Sequence, residues 1–463
     1  MNWTAFGLGL LPEHFLLLGL LLLIIQAIVT DRPQGAVMIA LACVAAGALS
    51  GLWLGLSGYS ATPFAGQLSV TPASSLGKAI ALGLALPVLI MARDDLGDGG
   101  PLYPLIVSSL YGLALMLSSD SFLTLFLGLE LMSLPVYVLT LMGMRRESSP
   151  EAALKYLVLG GAATATFLMG VAMLYGFSGT LAVSGFAKAL ASPQPIAVAG
   201  AALLMLAFFL KAAVVPFHAW APDAYEGASV PVTAYMAAII KAGVLLAVLH
   251  LFGQARLSNS MVGLLATLPL ISIVWGNLAA MKQTTLRRMM AYSSIAHAGY
   301  LYYAFLGAGP GRLKSVLFYL LAYGLLTVLA FAALPAHRSD EQRDSLDTLK
   351  GLFHRQPFAA VMIGLAMLSL AGIPPLPGFV AKFLIFREVM AAGYTLYAVL
   401  GLVGSYLGIY FYLRVVQYMF MSPQTASAGG ELPVRGPAVT ASLLCLVPTV
   451  MIAFGPGWFV SRL

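Results

Sequence analysis

Apolar residues follow one another along this chain in runs of about 18 or more, broken by short polar or Pro/Gly-rich intervals, and that length lets a helix cross the hydrocarbon core of a bilayer. The breaks predict helices near 13–30, 36–56, 73–92, 102–119, 121–142, 152–176 and 196–222. Further helices are expected near 230–252, 261–281, 288–308, 313–335, 357–388, 394–421 and 437–458. The chain thus reads as an all-α integral membrane protein of about fourteen transmembrane helices. An even total places both termini on one side.

Two of these segments, the seventh and the twelfth, are too long and are interrupted by proline. In register, Leu206, Ala207, Ala212, Ala213, Val214, Pro216 and Trp220 fall opposite Leu365, Ala366, Ala371, Gly372, Ile373, Pro375 and Phe379. Helices five apart cross the membrane in opposite directions, so helices 4–8 and 9–13 are expected to form two inverted five-helix repeats. Broken helices at corresponding places in such halves point to an ion path. The expected organisation is three N-terminal helices over 1–101, a first repeat over 102–252, a second over 261–421 and a last helix over 437–463.

Composition agrees with a lipid solvent: 60% of the 463 residues are hydrophobic and 9% charged, against roughly one-quarter charged in a soluble domain. No Lys or Arg precedes the first run and no small-residue cleavage site follows it, so a permanent helix is expected there rather than a removable signal peptide. The net charge of +7 does not imply a nucleic-acid partner, because the basic residues lie singly or in pairs in short loops. Arg32, Arg93, Arg145, Arg146, Lys282, Arg287, Arg288, Arg338, Arg343, Lys350, Arg355 and Arg435 fall in the odd-numbered loops, and the even-numbered loops hold roughly half as many. The odd loops are therefore expected in the cytoplasm and both termini outside. The longest hydrophilic stretch, 336–356, becomes cytoplasmic, and Leu346, Leu349 and Phe353 at helical spacing suggest a short interfacial or docking helix. Cys43 and Cys445 stand alone in apolar segments and read as packing residues, not as a disulfide, zinc or iron–sulfur set.

A charge near the bilayer centre costs about 2.5–3.5 kcal/mol on insertion scales, so each one kept in a span suggests a function or a partner. Glu130 sits near the middle of helix 5, Lys211 just before the break of helix 7, Lys241 in the centre of helix 8 and Lys382 after the break of helix 12. His297 lies in helix 10 and Lys155 near the cytoplasmic start of helix 6. Burial and a nearby carboxylate act in opposite senses on a lysine, which brings a permanent cation into a switching range. The bland readings are a static ion pair for Glu130 with a lysine, snorkelling for Lys155, and a hydrogen-bonded core histidine for His297. His218, Asp223 and Glu226 follow the Pro216 break and either line a cavity or belong to a solvated loop. Arg414 reads as a partner of an acid or a lipid. Lys382 is expected in the outer half of the membrane; its spacing to Glu388 is poor for a direct pair. No phosphate loop, catalytic triad or metal-ligand cluster is legible, and His218, His250 and His297 on separate helices carry little weight as haem ligands.

The stretches LTLFLGLELMSLPVYVL, ALKYLVLGGAATATFLMG, LKAAVVPFHAWAPDAYEGASVPVTAY, GNLAAMKQTTLRRMMAYSSIAHAGYL and LSLAGIPPLPGFVAKF resemble the antiporter-like subunits of bacterial complex I, the subunit N branch in particular. That family also includes the mitochondrial and chloroplast counterparts of subunit N, subunits L and M, and the Mrp-type antiporter proteins. The resemblance implies fourteen helices, two inverted repeats and a polar axis at the membrane midplane. Its glutamate on helix 5 matches Glu130, its lysines on helices 6, 7 and 8 match Lys155, Lys211 and Lys241, and its helix 12 lysine matches Lys382. It further implies proton translocation driven by electron transfer from NADH to quinone in other subunits, with FMN and iron–sulfur clusters held there and no redox cofactor in this chain. The implied partners are the other membrane and peripheral subunits, lipids and the assembly's quinone, in a bacterial inner membrane. An Mrp-type cation/proton antiporter subunit and a structural membrane scaffold are the alternatives.

Overall fold

The computed structural model describes residues 3–30, 34–95, 101–143, 146–253, 257–307, 309–337, 340–421, 434 and 436–463. Its N-terminal part contains α1 (Trp3–Gly9), α2 (Leu11–Val29), α3 (Gln34–Leu56), a small hairpin of β1 (Ala61–Phe64) and β2 (Leu68–Val70), and α4 (Pro72–Asp95). Next come α5 (Leu102–Leu117), α6 (Phe122–Leu141), α7 (Ser149–Ser178), α8 (Ser184–Ala191), α9 (Pro195–Ala212), α10 (Trp220–Gly227), α11 (Val230–Tyr235), a π-turn (Met236–Ile240) and α12 (Lys241–Phe252). The remainder holds α13 (Asn259–Ala280), α14 (Leu286–Tyr303), α15 (Pro310–Ala332), α16 (Asp340–Arg343), α17 (Leu352–Arg355), α18 (Pro357–Ala371), α19 (Pro377–Ala391), α20 (Thr395–Met421), α21 (Gly436–Phe454) and α22 (Pro456–Arg462).

This is an all-α membrane protein. Eleven helices among the described residues are long and apolar enough to cross a membrane. Arg32, Arg145, Arg338 and Arg435, four of the loop cations behind the expected topology, lie outside the described residues.

Burial sorts the helices into a centre and a rim. The α11–α12 rod and α15 are almost wholly enclosed, whereas α2, α7 and α21 turn most of their apolar surface outward. Leu17, Leu21, Ile24 and Ile28 of α2, and Leu154, Leu157 and Val158 of α7, are exposed apolar groups. In water such a surface would drive aggregation, but hydrocarbon solvates it. Close approach at the centre depends on small residues: a Cβ on Gly128 would stand 2.7 Å from the Met116 amide nitrogen, and one on Gly112 would strike that of Met132. Two glycines thus press α6, which carries Glu130, against α5.

Both predicted interruptions are real. Between α9 and α10 the chain leaves the helix at Ala213, in the left-handed region at φ 59°, and between α18 and α19 at Gly372, φ 90°. Proline explains the stops: Pro216, Pro374 and Pro375 donate no backbone hydrogen bond, and the residue before a proline is pushed out of helical geometry.

The stretch 336–356 departs from expectation. In place of a single docking helix through Leu346, Leu349 and Phe353, it forms turns flanked by the short α16 and α17. Leu346, Leu349 and Leu352 are buried in the protein's own core, and Phe353 stacks on Phe420 of α20 at 4.9 Å between centroids. The helical spacing reflects burial against the bundle.

Candidate functional site

One face of α6 presents Glu130, Ser133 and Tyr137 at spacings of three and four residues, so all three meet the end of α9. There Lys211 Nζ lies 3.5 Å from Glu130 Oε1, 3.2 Å from Ser133 Oγ and 3.3 Å from Tyr137 Oη. Thr164 of α7 donates a 2.5 Å hydrogen bond to the same carboxylate oxygen. Lys211 occupies the last turn of α9, where unsatisfied carbonyls favour a cation. The broken end is held by Trp220, whose Nε1 donates to the Leu210 carbonyl at 2.9 Å, and by Ser272 Oγ, which accepts from the Val215 amide at 2.8 Å.

Lys241 is differently placed. It follows the π-turn, a distortion that recurs at functional sites in helices, and its Nζ donates to the Ser294 carbonyl of α14 at 2.5 Å. Lys382, on α19, reaches back across the second break to the Leu370 and Ala371 carbonyls of α18 at 2.9 and 3.1 Å, with the Tyr300 ring 5.2 Å away. Among the described residues neither lysine makes an ion pair. Glu388 pairs with Arg387 at 3.0 Å. For both lysines, backbone carbonyls take the role expected of a carboxylate.

The row is joined along one side of α14. Ser294 meets Lys241, His297 follows three residues on, and Tyr300, three further, lies under Lys382. His297 is enclosed: Nδ1 is 2.8 Å from Tyr319 Oη of α15 and Nε2 is 3.1 Å from Tyr412 Oη of α20. Tyr412 Oη stands 2.5 Å from Ser293 Oγ. Both ring nitrogens are occupied, as a core histidine requires, and the ring also ties α14 to α15 and α20. Among the described residues no direct hydrogen bond joins this group to the Glu130–Lys211 pair.

Lys155 stands apart. Its side chain is 44% exposed and pairs with Glu151 and Asp223, each at 2.7 Å. Arg288 closes the cluster with Asp223 at 2.8 Å and Glu226 at 2.9 Å. Asp223 and Glu226 therefore serve in an ion-paired group at the start of α7 and α14, and His218 accepts from Trp275 Nε1 at 3.0 Å. Arg414 donates to the Met281 and Gln283 carbonyls, both at 2.7 Å, and among the described residues it meets no acid.

Two further charge clusters escape sequence reasoning. Arg146 and Arg287 share Asp340 and Asp344 in a latch with nitrogen–oxygen distances of 2.8–3.0 Å. Burial alone would raise the two aspartates, but the guanidiniums of Arg287 and Arg146 prevail and hold both below the usual carboxylate range. The second is Glu13 with Lys78, 2.5 Å apart in the N-terminal helices. No signal in the sequence pairs such distant residues. Among the described residues no group of three or more His, Cys, Asp or Glu side chains is disposed to hold a metal ion.

Residues 119–408 match the family described as NADH:quinone oxidoreductase/Mrp antiporter, transmembrane. The chain is 39% identical to NADH-quinone oxidoreductase subunit N of Pelobacter propionicus over 89% of each protein. It is similar to a chain of respiratory complex I from Thermus thermophilus, solved with bound aureothin, at TM-score 0.85 and 34% identity, covering 97% of this chain and 98% of that one. A chain of the Mrp complex from a species of Dietzia superposes at TM-score 0.85 over 100% and 96%, and its 22% identity speaks for the fold alone. With a matched region enclosing Glu130, Lys155, Lys211, Lys241, His297 and Lys382, this chain belongs to the NADH:quinone oxidoreductase/Mrp antiporter membrane family, in its subunit N branch.

Proposed function

We propose that this chain is the proton-translocating, non-redox subunit N of a respiratory NADH:quinone oxidoreductase. Electrons pass from NADH to quinone through FMN and iron–sulfur clusters in other subunits. The observation that carries this reading is the row of buried cations held by labile partners: Lys211 by Glu130, and Lys241 and Lys382 by backbone carbonyls. A lysine whose partners are displaced can give up its proton, and arginine in its place cannot. Glu130 is the modulator: when its carboxylate withdraws, Lys211 loses its counter-charge and releases a proton toward Lys241. His297, with Tyr319 and Tyr412, carries it along α14 toward Lys382. Lys155, Asp223 and Glu226 order the entry side through Arg288, and His218 lines the approach beside the Pro216 break.

The two interruptions, equivalent at Ala213 and Gly372, support inverted repeats over 102–252 and 261–421, with 1–101 and 437–463 as flanking helices. The loop cations support a bacterial inner-membrane placement with both termini in the periplasm. Lys382 then faces the outer side and is the release station. The partners are the other membrane and peripheral subunits, with lipid around the rim.

Native mass spectrometry of the solubilised complex tests the assignment, and copurification with iron–sulfur and NADH-oxidising subunits is expected. Copurification with Mrp-type subunits instead would favour a cation/proton antiporter. Proton uptake by vesicles holding the Lys241→Met complex tests the chemistry. Normal pumping in that assembled variant would overturn the reading and leave a structural scaffold.

A further inference from the structure

Glu13 on α2 and Lys78 on α4 form an ion pair 2.5 Å long, with side chains 3% and 0% exposed, outside the matched region 119–408. Beyond the ion pair itself, neither Lys78 Nζ nor Glu13 Oε2 has a protein hydrogen-bond partner among the described residues. A static pair at such depth ordinarily has its remaining donors and acceptors satisfied, because desolvation is otherwise uncompensated. Here Glu13 Oε1 meets Ser118 as well as Lys78, while Glu13 Oε2 has no protein partner among the described residues.

Polar groups lead away from it in one direction. Ser118 Oγ is 3.5 Å from Glu13 Oε1, and the carbonyl of the next residue, Ser119, lies 2.8 Å from His250 Nε2. His250, Ser74, Gly77, Leu246 and Arg312 are among the residues lining a cavity of about 250 Å³, room for several waters. In the other direction α4 packs on the Lys241 helix. A Cβ on Gly77 would meet Leu246 at 3.2 Å, and Leu246 is five residues, about 7.5 Å of helix, from Lys241.

We propose that Glu13 and Lys78 form a second proton-handling site, fed from the Lys241 end of α12 and emptying into the cavity beside His250. The inference rests on the proton-translocating reading above. Lys78 ammonium passes its proton to the Glu13 carboxylate, leaving a neutral amine and a carboxylic acid. Glu13 then yields the proton past Ser118, its hydrogen-bond partner, toward the cavity beside His250, and the Lys78 amine is reprotonated from the Lys241 side. One proton enters for each that leaves, and the pair returns to its starting charges.

The test uses the whole complex in vesicles, with NADH oxidation and proton uptake recorded together and assembly checked by native electrophoresis. Glu13→Gln, Lys78→Met and the double variant are each expected to lose the same share of protons moved per NADH as Lys241→Met. A double variant that returns to the wild-type ratio would show a static pair, since it leaves no uncompensated charge, and would overturn the proposal. Should those variants fail to assemble, Glu13→Asp keeps the charge while withdrawing it from Ser118, and a normal ratio in that protein has the same meaning. Normal pumping by Lys241→Met defeats the underlying reading. Lost pumping by Lys241→Met beside a normal double variant defeats the second site alone.

Discussion

Ala213 and Gly372 end the first halves of the two broken helices in the same left-handed conformation, although only one of them is glycine. An L-residue with a side chain bears roughly 1–2 kcal/mol there. Ala213→Gly is therefore expected to be neutral or slightly stabilising. Gly372→Ala is expected to lose about 1–2 kcal/mol for the same reason. Its new Cβ would also stand 3.4 Å from Lys382 Cδ and Nζ, against the ammonium that the break positions. Thermal denaturation of the purified complex, paired with proton uptake, checks both, and a stable, fully active Gly372→Ala protein would refute the account of the second break.

Glu130 holds Lys211 while itself bound by Thr164. Glu130→Gln keeps the shape and removes the charge, so we expect assembly to persist and coupled quinone reduction to fall. Thr164→Val removes a donor to the same oxygen and is expected to give a smaller loss in the same direction. Unchanged activity and pumping in assembled Glu130→Gln would remove this pair from the mechanism.

What lipid penalises decides how much of this is legible in one dimension. A charge or a proline inside a long apolar run stands out one residue at a time, so Glu130, Lys211, Lys241, Lys382 and both helix breaks can be read from the sequence. Their partners cannot. That Lys241 is held by the Ser294 carbonyl, and Lys382 by the end of α18, depends on backbone groups that every residue possesses. Lys78 lies six residues inside α4, near enough to its start to pass for an interfacial lysine, and only the fold brings Glu13 to it. Leu346 and Leu349 show the converse failure: their helical spacing is real, but the surface they meet is the chain's own core.

The latch of Arg146, Arg287, Asp340 and Asp344 ties the 336–356 segment to the start of α14. Breaking a buried pair by neutralising one partner costs about 3–5 kcal/mol, because the surviving charge is left uncompensated. Asp344→Asn is expected to lower the denaturation midpoint accordingly at neutral pH. Both aspartates titrate below their ordinary value, so the latch's stabilisation is complete above the unfolded value near 4 and fades as pH falls through the lower, folded one. The difference between wild type and Asp344→Asn should therefore shrink on acidification below about pH 4. A gap that stayed constant to the acid limit would mean that the aspartate contributes through packing and not through charge.

The lysines held by carbonyls separate a carrier from a fixed cation most directly. Lys241→Arg and Lys382→Arg retain the positive charge, and guanidinium has donors to spare for Ser294 or for Leu370 and Ala371, yet it does not release a proton in practice. Lys241→Met and Lys382→Met keep the length and lose both charge and proton. If these residues carry protons, Arg and Met variants fail alike, and the ratio of protons moved to NADH oxidised falls in each. If they are counter-charges, Arg restores what Met removes. Lys382→Ala adds a directional test, since release on the outer side predicts slowed or uncoupled pumping together with water density linking Lys382 to that surface in a high-resolution map. A dry outer face in every state, with normal pumping by the Ala variant, would move the exit elsewhere, and the cavity beside His250 would be the next place to look.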